Sequence, residues 1–153
     1  MQFNMITCFF EDKGKAYLRH VVTNVIVANQ DDQILLVKRG LSSINGGKWG
    51  LPGGFVDRDE TVKQAAEREI LEETGYKISE VNLLKIIDNP NRAHEDRQNI
   101  LFVYTAKATE KIGEGDIRES SEITWFNLNK LPEKKEFAFD HYEIIQEYIV
   151  IKK

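Results

Sequence analysis

The segment GFVDRDETVKQAAEREILEETGY, residues 54–76, sets acidic residues where a helix ordinarily turns its greasy face. Advancing about 100° per residue from Val62 puts Glu69 at roughly 340°, Glu72 at roughly 280° and Glu73 at roughly 20°. These three share the sector of Val62, Ala65 and Ala66, so the burying face of an amphipathic helix becomes a cluster of carboxylates toward its C-terminal end. Two carboxylates about 4 Å apart repel by on the order of 4 kcal/mol at an effective dielectric of about 20, and splaying or protonation relieves this only in part. A bound divalent cation relieves it directly. With no Cys or His in the segment, the donors are all oxygen, which points to Mg²⁺, or Mn²⁺ in its place, rather than zinc. The competing reading is a solvated acidic helix face. Against it, the opposite side carries no clean apolar stripe, since Leu71 stands there among Gln64, Glu67 and Arg68.

The punctuation of the segment is equally specific. Gly53 and Gly54 follow Leu51 and Pro52, giving a loop whose backbone can enter conformations closed to other residues. Thr61 with Gln64 has the spacing of a capping box, and Gly75 is placed to end the helix in a left-handed conformation.

At 153 residues, with 41% hydrophobic and 30% charged positions, the chain reads as one domain over residues 1–153 that buries a core without staples. A net charge of −4 and the absence of a dense Lys/Arg run argue against nucleic acid as a partner. Cys8 is the single cysteine, which excludes an intramolecular disulfide and reads as a small hydrophobe in a reducing compartment. No stretch approaches the ~20 apolar residues of a membrane span, and the N-terminal segment lacks a basic region ahead of a long apolar core. The expectation is a cytoplasmic protein with no membrane partner.

Val21 to Ala28 is mostly β-branched and Ile34 to Val37 is a second apolar run, so the polar turn Asn29 to Asp32 suggests a hairpin. Trp49 to Pro52 forms an extended entry to the glycines. Val81 to Ile87, Ile100 to Thr105 and Ile123 to Phe126 read as further strands, the first two separated by a polar loop, Asp88 through Asn99, that carries Pro90. From Asp140, a plausible N-cap, the spacing of Tyr142, Ile144, Ile145, Tyr148 and Ile149 is helical. Mixed strands with two main helices suggest an α/β/α sandwich.

Residues 54–76 resemble the Nudix box, GX5EX7REUXEEXGU with U a bulky apolar residue, at every fixed position: Gly54, Glu60, Arg68, Glu69, Glu72, Glu73 and Gly75. Ile70 fits the first U, and Tyr76 fits the last loosely, being aromatic. The resemblance implies the Nudix fold, an α/β/α sandwich around a mixed sheet, and hydrolysis of a diphosphate. It further implies that Glu69, Glu72 and Glu73 hold one or more Mg²⁺ ions, with Glu69 and Glu73 the first choices as direct ligands and Gly53 contributing beside them. Gly54, Glu60 and Gly75 are structural in the motif. Arg68 and Glu60, at roughly 240° and 160° on the same wheel, orient the acids or the box loop in this reading; a surface ion pair is the alternative.

Nudix enzymes often draw a further carboxylate from outside the box. Here the loop RESSE offers Glu119 and Glu122, and Glu119 is favoured as metal ligand or general base because Glu122 adjoins a strand. Two solvated loop acids are the competing reading. Pro90, 14 positions beyond Tyr76, and the terminal FAFDHYEII resemble the ADP-ribose-cleaving group. Arg39, Arg92 and Arg97 are candidate phosphate partners, against the alternative of solvated arginines. Phe139 and Tyr142 are given packing roles, with Phe139 stapling onto Ile144. No chemistry is assigned to His20, His94 or His141.

The expected substrate is a nucleoside diphosphate linked to another moiety, with ADP-ribose first, yielding AMP and ribose 5-phosphate. A house-cleaning nucleoside triphosphate pyrophosphatase uses the same box and differs in its products. A non-catalytic nucleotide sensor usually carries a degraded box, and a diphosphate isomerase needs additional acid/base residues. Many Nudix enzymes dimerise, so a homodimer is open, with Phe9, Phe10 and Tyr17 as interface, core or base-stacking residues.

Overall fold

The structure is a computed structural model that describes residues 6–92 and 97–153; His94 lies outside them. Its centre is a seven-stranded mixed sheet. Strands β3 (Val21–Ala28) and β8 (Ile100–Lys111) run parallel at the middle, paired in register from Val21↔Ile100 to Ala28↔Lys107. On one side β7 (Tyr76–Ile87) pairs antiparallel with β8. On the other, β4 (Gln33–Arg39) pairs antiparallel with β5 (Trp49–Gly50) and β9 (Ser120–Asn127), and β6 (Gly53–Phe55) is added to β3. Helix α1 (Val62–Thr74) covers one face and α2 (His141–Lys152) the other.

The period-two pattern of the central strands explains both layers. Val22, Ile26, Ile34, Leu36, Leu101 and Val103 pack toward Ile144 and Ile145 of α2. Their neighbours Val25, Val27, Leu35, Tyr104 and Ala106 pack toward Ala66 and Ile70 of α1. Strands buried on both faces read as continuous apolar runs, and β3 and β4 do so because helices cover both sides. The expected α/β/α sandwich is what forms.

The anticipated hairpin is corrected in its pairing. β3 and β4 are joined by the turn at Asn29–Asp32, yet their ladder holds only Ala28↔Ile34 before they part, β3 to β8 and β4 to β9. Apolar faces on both strands make each a good central strand, so each recruits a long partner rather than the other. Strand limits also move outward: β7 begins at Tyr76, β8 continues to Lys111 and β9 spans Ser120–Asn127. Register shifts in β7 between Lys77 and Ile78, Ser79 and Asn82, and Leu83 and Lys85 break the alternation that would have marked its first half. A separate two-stranded sheet, β1 (Ile6–Phe9) with β2 (Lys15–Leu18), was not foreseen. Phe9, Phe10 and Tyr17 are exposed, Phe9 to 71%, which removes the core reading for all three.

Helix α1 has the predicted ends. Thr61 Oγ1 accepts from Gln64 N–H at 3.2 Å while Gln64 Oε1 accepts from Thr61 N–H at 2.8 Å, and Gly75 closes the helix at φ 75°, its N–H donating to Leu71 O. Asp140 precedes α2 as expected but makes no side-chain cap; its carboxylate is taken by Arg92. No described helix is long and apolar enough to cross a membrane.

Candidate active site

The C-terminal half of α1 meets the loop Leu51–Phe55 and the turn before β9 at one end of the sheet, around a cavity of about 370 Å³. Glu73 is its most buried acid, at 8% exposure. Its Oε2 accepts from Gly53 N–H at 3.0 Å and its Oε1 from Ser120 Oγ–H at 2.6 Å. Burial pushes its carboxyl up to about 7 against the pull of those two hydrogen bonds, with the charges of Glu119 and Glu69 adding to the rise. Gly53 thus meets the site through its N–H.

Glu69 lines the same cavity, held by Arg68 Nη1 at 2.9 Å. Burial raises its pKa, Arg68 opposes, and Glu72 and Glu119 reinforce the rise. Its carboxylate lies so close over Gly54 that a Cβ there would collide with it, which explains the glycine. Glu119, in the turn before β9, also lines the cavity, whereas Glu122 lies in β9, exposed, accepting from Thr124 Oγ1 and facing Lys38.

Glu72 departs from the sequence expectation of a buried sector. Its side chain is exposed, lies outside the cavity lining and pairs with Arg68 Nη1 at 3.0 Å. At roughly 280° it borders Arg68, near 240°, and the sheet covers only the arc centred on Ala66, Glu69 and Glu73. Arg68 is a clamp: Nε and Nη2 donate to Glu60 at 3.0 and 2.7 Å, and Nη2 also donates to Phe55 O at 3.0 Å. Glu60 in turn accepts from Asp57 N–H at 2.7 Å, and Arg68 holds the Glu60 carboxyl down to about 2. The box loop and the helix are thereby locked together beneath Glu69.

The lining of the cavity is also cationic and aromatic. Arg39 ends β4, donates through Nε to Ile44 O at 2.7 Å and lays its guanidinium 5.1 Å from the Phe139 ring centroid. Burial lowers its pKa, while Glu73 and Glu119 raise it, which places both acids within electrostatic reach. Arg97 stands 5.6 Å from the Phe55 centroid, and both residues line the cavity. Arg92 lines it too, but its fork is spent on Asp140, at 2.7 and 2.5 Å, in a pair where Arg92 is 9% exposed.

Phe139 corrects the packing expectation. It adopts φ 51°, and its ring faces the cavity and Arg39 rather than joining the core around Ile144. A bulky residue in the left-handed region is held there by its neighbours, here Ala138 N–H to Trp49 O and His141 N–H to Ala138 O. Tyr142 does pack against the core. Sequence reading missed Ser120, Thr23 and His141. Ser120 looked like any loop serine, and its bond to Glu73 spans 47 positions. His141 Nδ1 accepts from Leu51 N–H, 90 positions away, and burial, then Arg92, depress its pKa to about 3.

Among the described residues no three acidic, His or Cys side chains form a ready-made metal cage. The site nevertheless fits a hard cation. Mg²⁺ keeps several waters and is commonly held by one or two carboxylates plus substrate phosphates, and Glu69, Glu73 and Glu119 offer carboxylates to one cavity. Thr23, whose backbone borders the Gly53–Phe55 strand, is fully buried beside these acids, and its Oγ1 has no hydrogen-bond partner among the described residues.

Comparison with known proteins agrees. The NUDIX domain model matches residues 18–148. The ADP-ribose pyrophosphatase of Methanocaldococcus jannaschii is 36% identical over 90% of this chain and 78% of its own length. A putative 8-oxo-dGTP diphosphatase of Bacillus subtilis is 37% identical over 71% of this chain and 66% of its own. Among solved structures, the NUDIX domain of Shewanella oneidensis NrtR complexed with ADP ribose superposes with a TM-score of 0.75 at 25% identity, covering 95% of this chain and 94% of that one. With the box clamped by Arg68, Glu69 and Glu73 brought to one cavity and the family model spanning most of the chain, the protein belongs to the Nudix hydrolases, enzymes that act on phosphoanhydride bonds.

Proposed function

We propose that this chain hydrolyses the pyrophosphate bond of a nucleoside diphosphate linked to another moiety, in a Mg²⁺-dependent reaction that Mn²⁺ also supports, with ADP-ribose giving AMP and ribose 5-phosphate. The observation that carries the reading is a cavity lined by both kinds of charge, Glu69, Glu73 and Glu119 together with Arg39 and Arg97. A diphosphate needs both, cations for its oxygens and carboxylates that would hold a divalent metal beside them. When bound, the metal neutralises phosphate charge and lowers the pKa of water. Glu69 and Glu73 would hold it, and Glu119 would accept the proton of the attacking water as that oxygen bonds to phosphorus and the bridging P–O bond breaks, the leaving phosphate departing as its anion. Arg39 and Arg97 orient the phosphates, and Arg68 with Glu60 keeps Glu69 in place. The likeness to an ADP-ribose pyrophosphatase across most of both chains, and to a NUDIX domain complexed with ADP ribose, supports the choice of substrate.

A second reading is favoured by the Bacillus subtilis relative, equally similar in identity: cleavage of a nucleoside triphosphate to monophosphate and pyrophosphate. A screen of ADP-ribose, nucleoside diphosphate sugars, dinucleoside polyphosphates and nucleoside triphosphates in Mg²⁺, with products resolved and Glu73→Gln alongside, separates the two. AMP and ribose 5-phosphate from ADP-ribose, lost in the variant, uphold the first reading; pyrophosphate from triphosphates selects the second; binding without turnover selects a sensor.

A further inference from the structure

His141 is 2% exposed and lines the same cavity as Glu69 and Glu73, on the α2 side. Its orientation is set by the backbone, because Leu51 N–H donates to Nδ1 at 3.0 Å. An imidazole nitrogen that accepts a hydrogen bond carries no proton, so the neutral ring carries its hydrogen on Nε2. Gly50 leaves the ring the space to make this bond, since a Cβ there would stand 2.9 Å from Nδ1. Among the described residues the Leu51 bond is the one side-chain hydrogen bond His141 makes, and none of them accepts from its Nε2–H. Buried donors are costly to leave unmade, and on a cavity wall the partner comes from what fills the cavity.

The surroundings define that partner. Burial is the main reason the ring stays neutral. Of the charges around it, Arg92 and Arg39 disfavour a positive ring and Asp140 favours one, so with Arg92 and Asp140 paired it is Arg39 that suits the cavity to an anionic acceptor. Arg92 is matched by Asp140, whereas Arg39 faces the cavity over Phe139. His141 is also the first residue of α2, at the positive end of that helix. We propose that His141 is a substrate-binding residue whose Nε2–H donates to a phosphate oxygen of the bound nucleotide. This rests on the reading of the cavity as a diphosphate site. With its proton fixed on Nε2, the ring acts as a neutral donor and leaves acid–base work to the carboxylates.

The test compares His141→Asn, which keeps an oxygen for Leu51 N–H and deletes the Nε2 donor, with His141→Gln, whose amide can restore a donor near Nε2. Calorimetric Kd values for AMP and for inorganic pyrophosphate in Mg²⁺ are expected to rise about tenfold in the Asn variant, equivalent to about 1.4 kcal/mol. The Gln variant should recover part of the loss, and in turnover the Asn variant should raise KM with kcat nearly kept. Affinities within twofold of the parent in a folded Asn variant overturn the proposal. A measurement free of any folding defect uses the unmodified protein: the ¹⁵N-correlated His141 Nε2–H resonance should shift on titration with AMP or pyrophosphate, and a resonance unmoved by either at saturation overturns it. If pyrophosphate moves the resonance while ADP-ribose neither binds nor turns over, the inference stands and the ADP-ribose reading falls. If ADP-ribose is hydrolysed with the resonance unmoved by its product, the inference falls and the function stands.

Discussion

Ser120 Oγ lies 2.6 Å from Glu73 Oε1, a hydrogen bond between the first residue of β9 and the buried end of α1. Together with Gly53 N–H on Oε2, it gives each oxygen of a nearly dry carboxylate one donor from a different segment. The bond joins the strand that follows Glu119 to the helix that carries Glu69 and Glu73, so the three acids are registered by it.

Ser120→Ala removes that donor without adding bulk. A buried carboxylate that loses one of two hydrogen bonds becomes harder to ionise, so the Glu73 pKa should rise further above about 7. Hydrogen bonds to charged groups contribute about 1.5–3 kcal/mol, so kcat/KM at pH 7.5 should fall by roughly 10-fold or more. Activity should recover in part toward pH 9. A pH profile superimposable on that of the parent would show that Ser120 does not tune Glu73.

Glu73→Gln should stabilise the metal-free protein while abolishing turnover. The folded carboxyl titrates at about 7 and a solvated Glu at 4.5, so between these values the folded state binds a proton that the unfolded chain has released. Stability contributed by the neutral form is full below 4.5 and is lost as pH rises through 7, a difference of about 3 kcal/mol. The amide does not titrate and can still accept from Gly53 N–H. In EDTA, Tm of the variant minus Tm of the parent should therefore be larger at pH 8 than at pH 4.5, by roughly 5–10 °C. Added Mg²⁺ should narrow the gap by stabilising the parent. Equal differences at both pH values would argue against the raised pKa.

Glu60→Gln tests the clamp. Glu60 binds Nε and Nη2 of Arg68, whose Nη1 reaches Glu69. Loosening partners that orient a metal ligand typically costs about 10–100-fold in metal affinity or activity. The Mg²⁺ concentration for half-maximal rate should rise about tenfold, with the circular dichroism spectrum and KM at saturating Mg²⁺ little changed. An unaltered Mg²⁺ dependence would leave the Arg68–Glu60 pair as scaffold alone.

Legibility in the sequence follows the range of the interactions. Helix α1 was readable to the residue because its signals are local: the Thr61–Gln64 capping box, Gly75 one position past the end, and Ala65 and Ala66 setting the buried face. The box itself placed Glu69 and Glu73 on the cavity, and the RESSE loop placed Glu119 there. Glu72 escaped the same logic because a helical wheel ranks angles but does not know how wide an arc the sheet will cover. Phe139, Ser120 and His141 were illegible as site residues for a different reason. Each is brought in by contacts with segments far away in the chain, Trp49 for the Phe139 turn, Glu73 for Ser120 and Leu51 for His141. Loop arginines show the same limit: Arg39, Arg92 and Arg97 all reach the cavity, but only tertiary structure reveals that Arg92 arrives already paired.

Arg92 decides between two roles that its sequence position left open, phosphate partner or structural ion pair. Its two bonds to Asp140 lie at 2.7 and 2.5 Å, and burial drives the Asp140 carboxyl up while Arg92 overrides this and holds it below the ordinary range. Removing one partner of a buried pair strands the other and typically costs about 3–5 kcal/mol. Arg92→Ala should accordingly lower Tm by roughly 6–15 °C, and the double variant Arg92→Ala/Asp140→Asn should recover part of that loss, because no unpaired charge remains buried. If the pair is scaffold, KM for ADP-ribose in the double variant, measured below its own Tm, should stay within a few-fold of the parent. A KM raised 100-fold with Tm restored would instead assign the Arg92 fork to the substrate, with Asp140 holding it until a phosphate arrives.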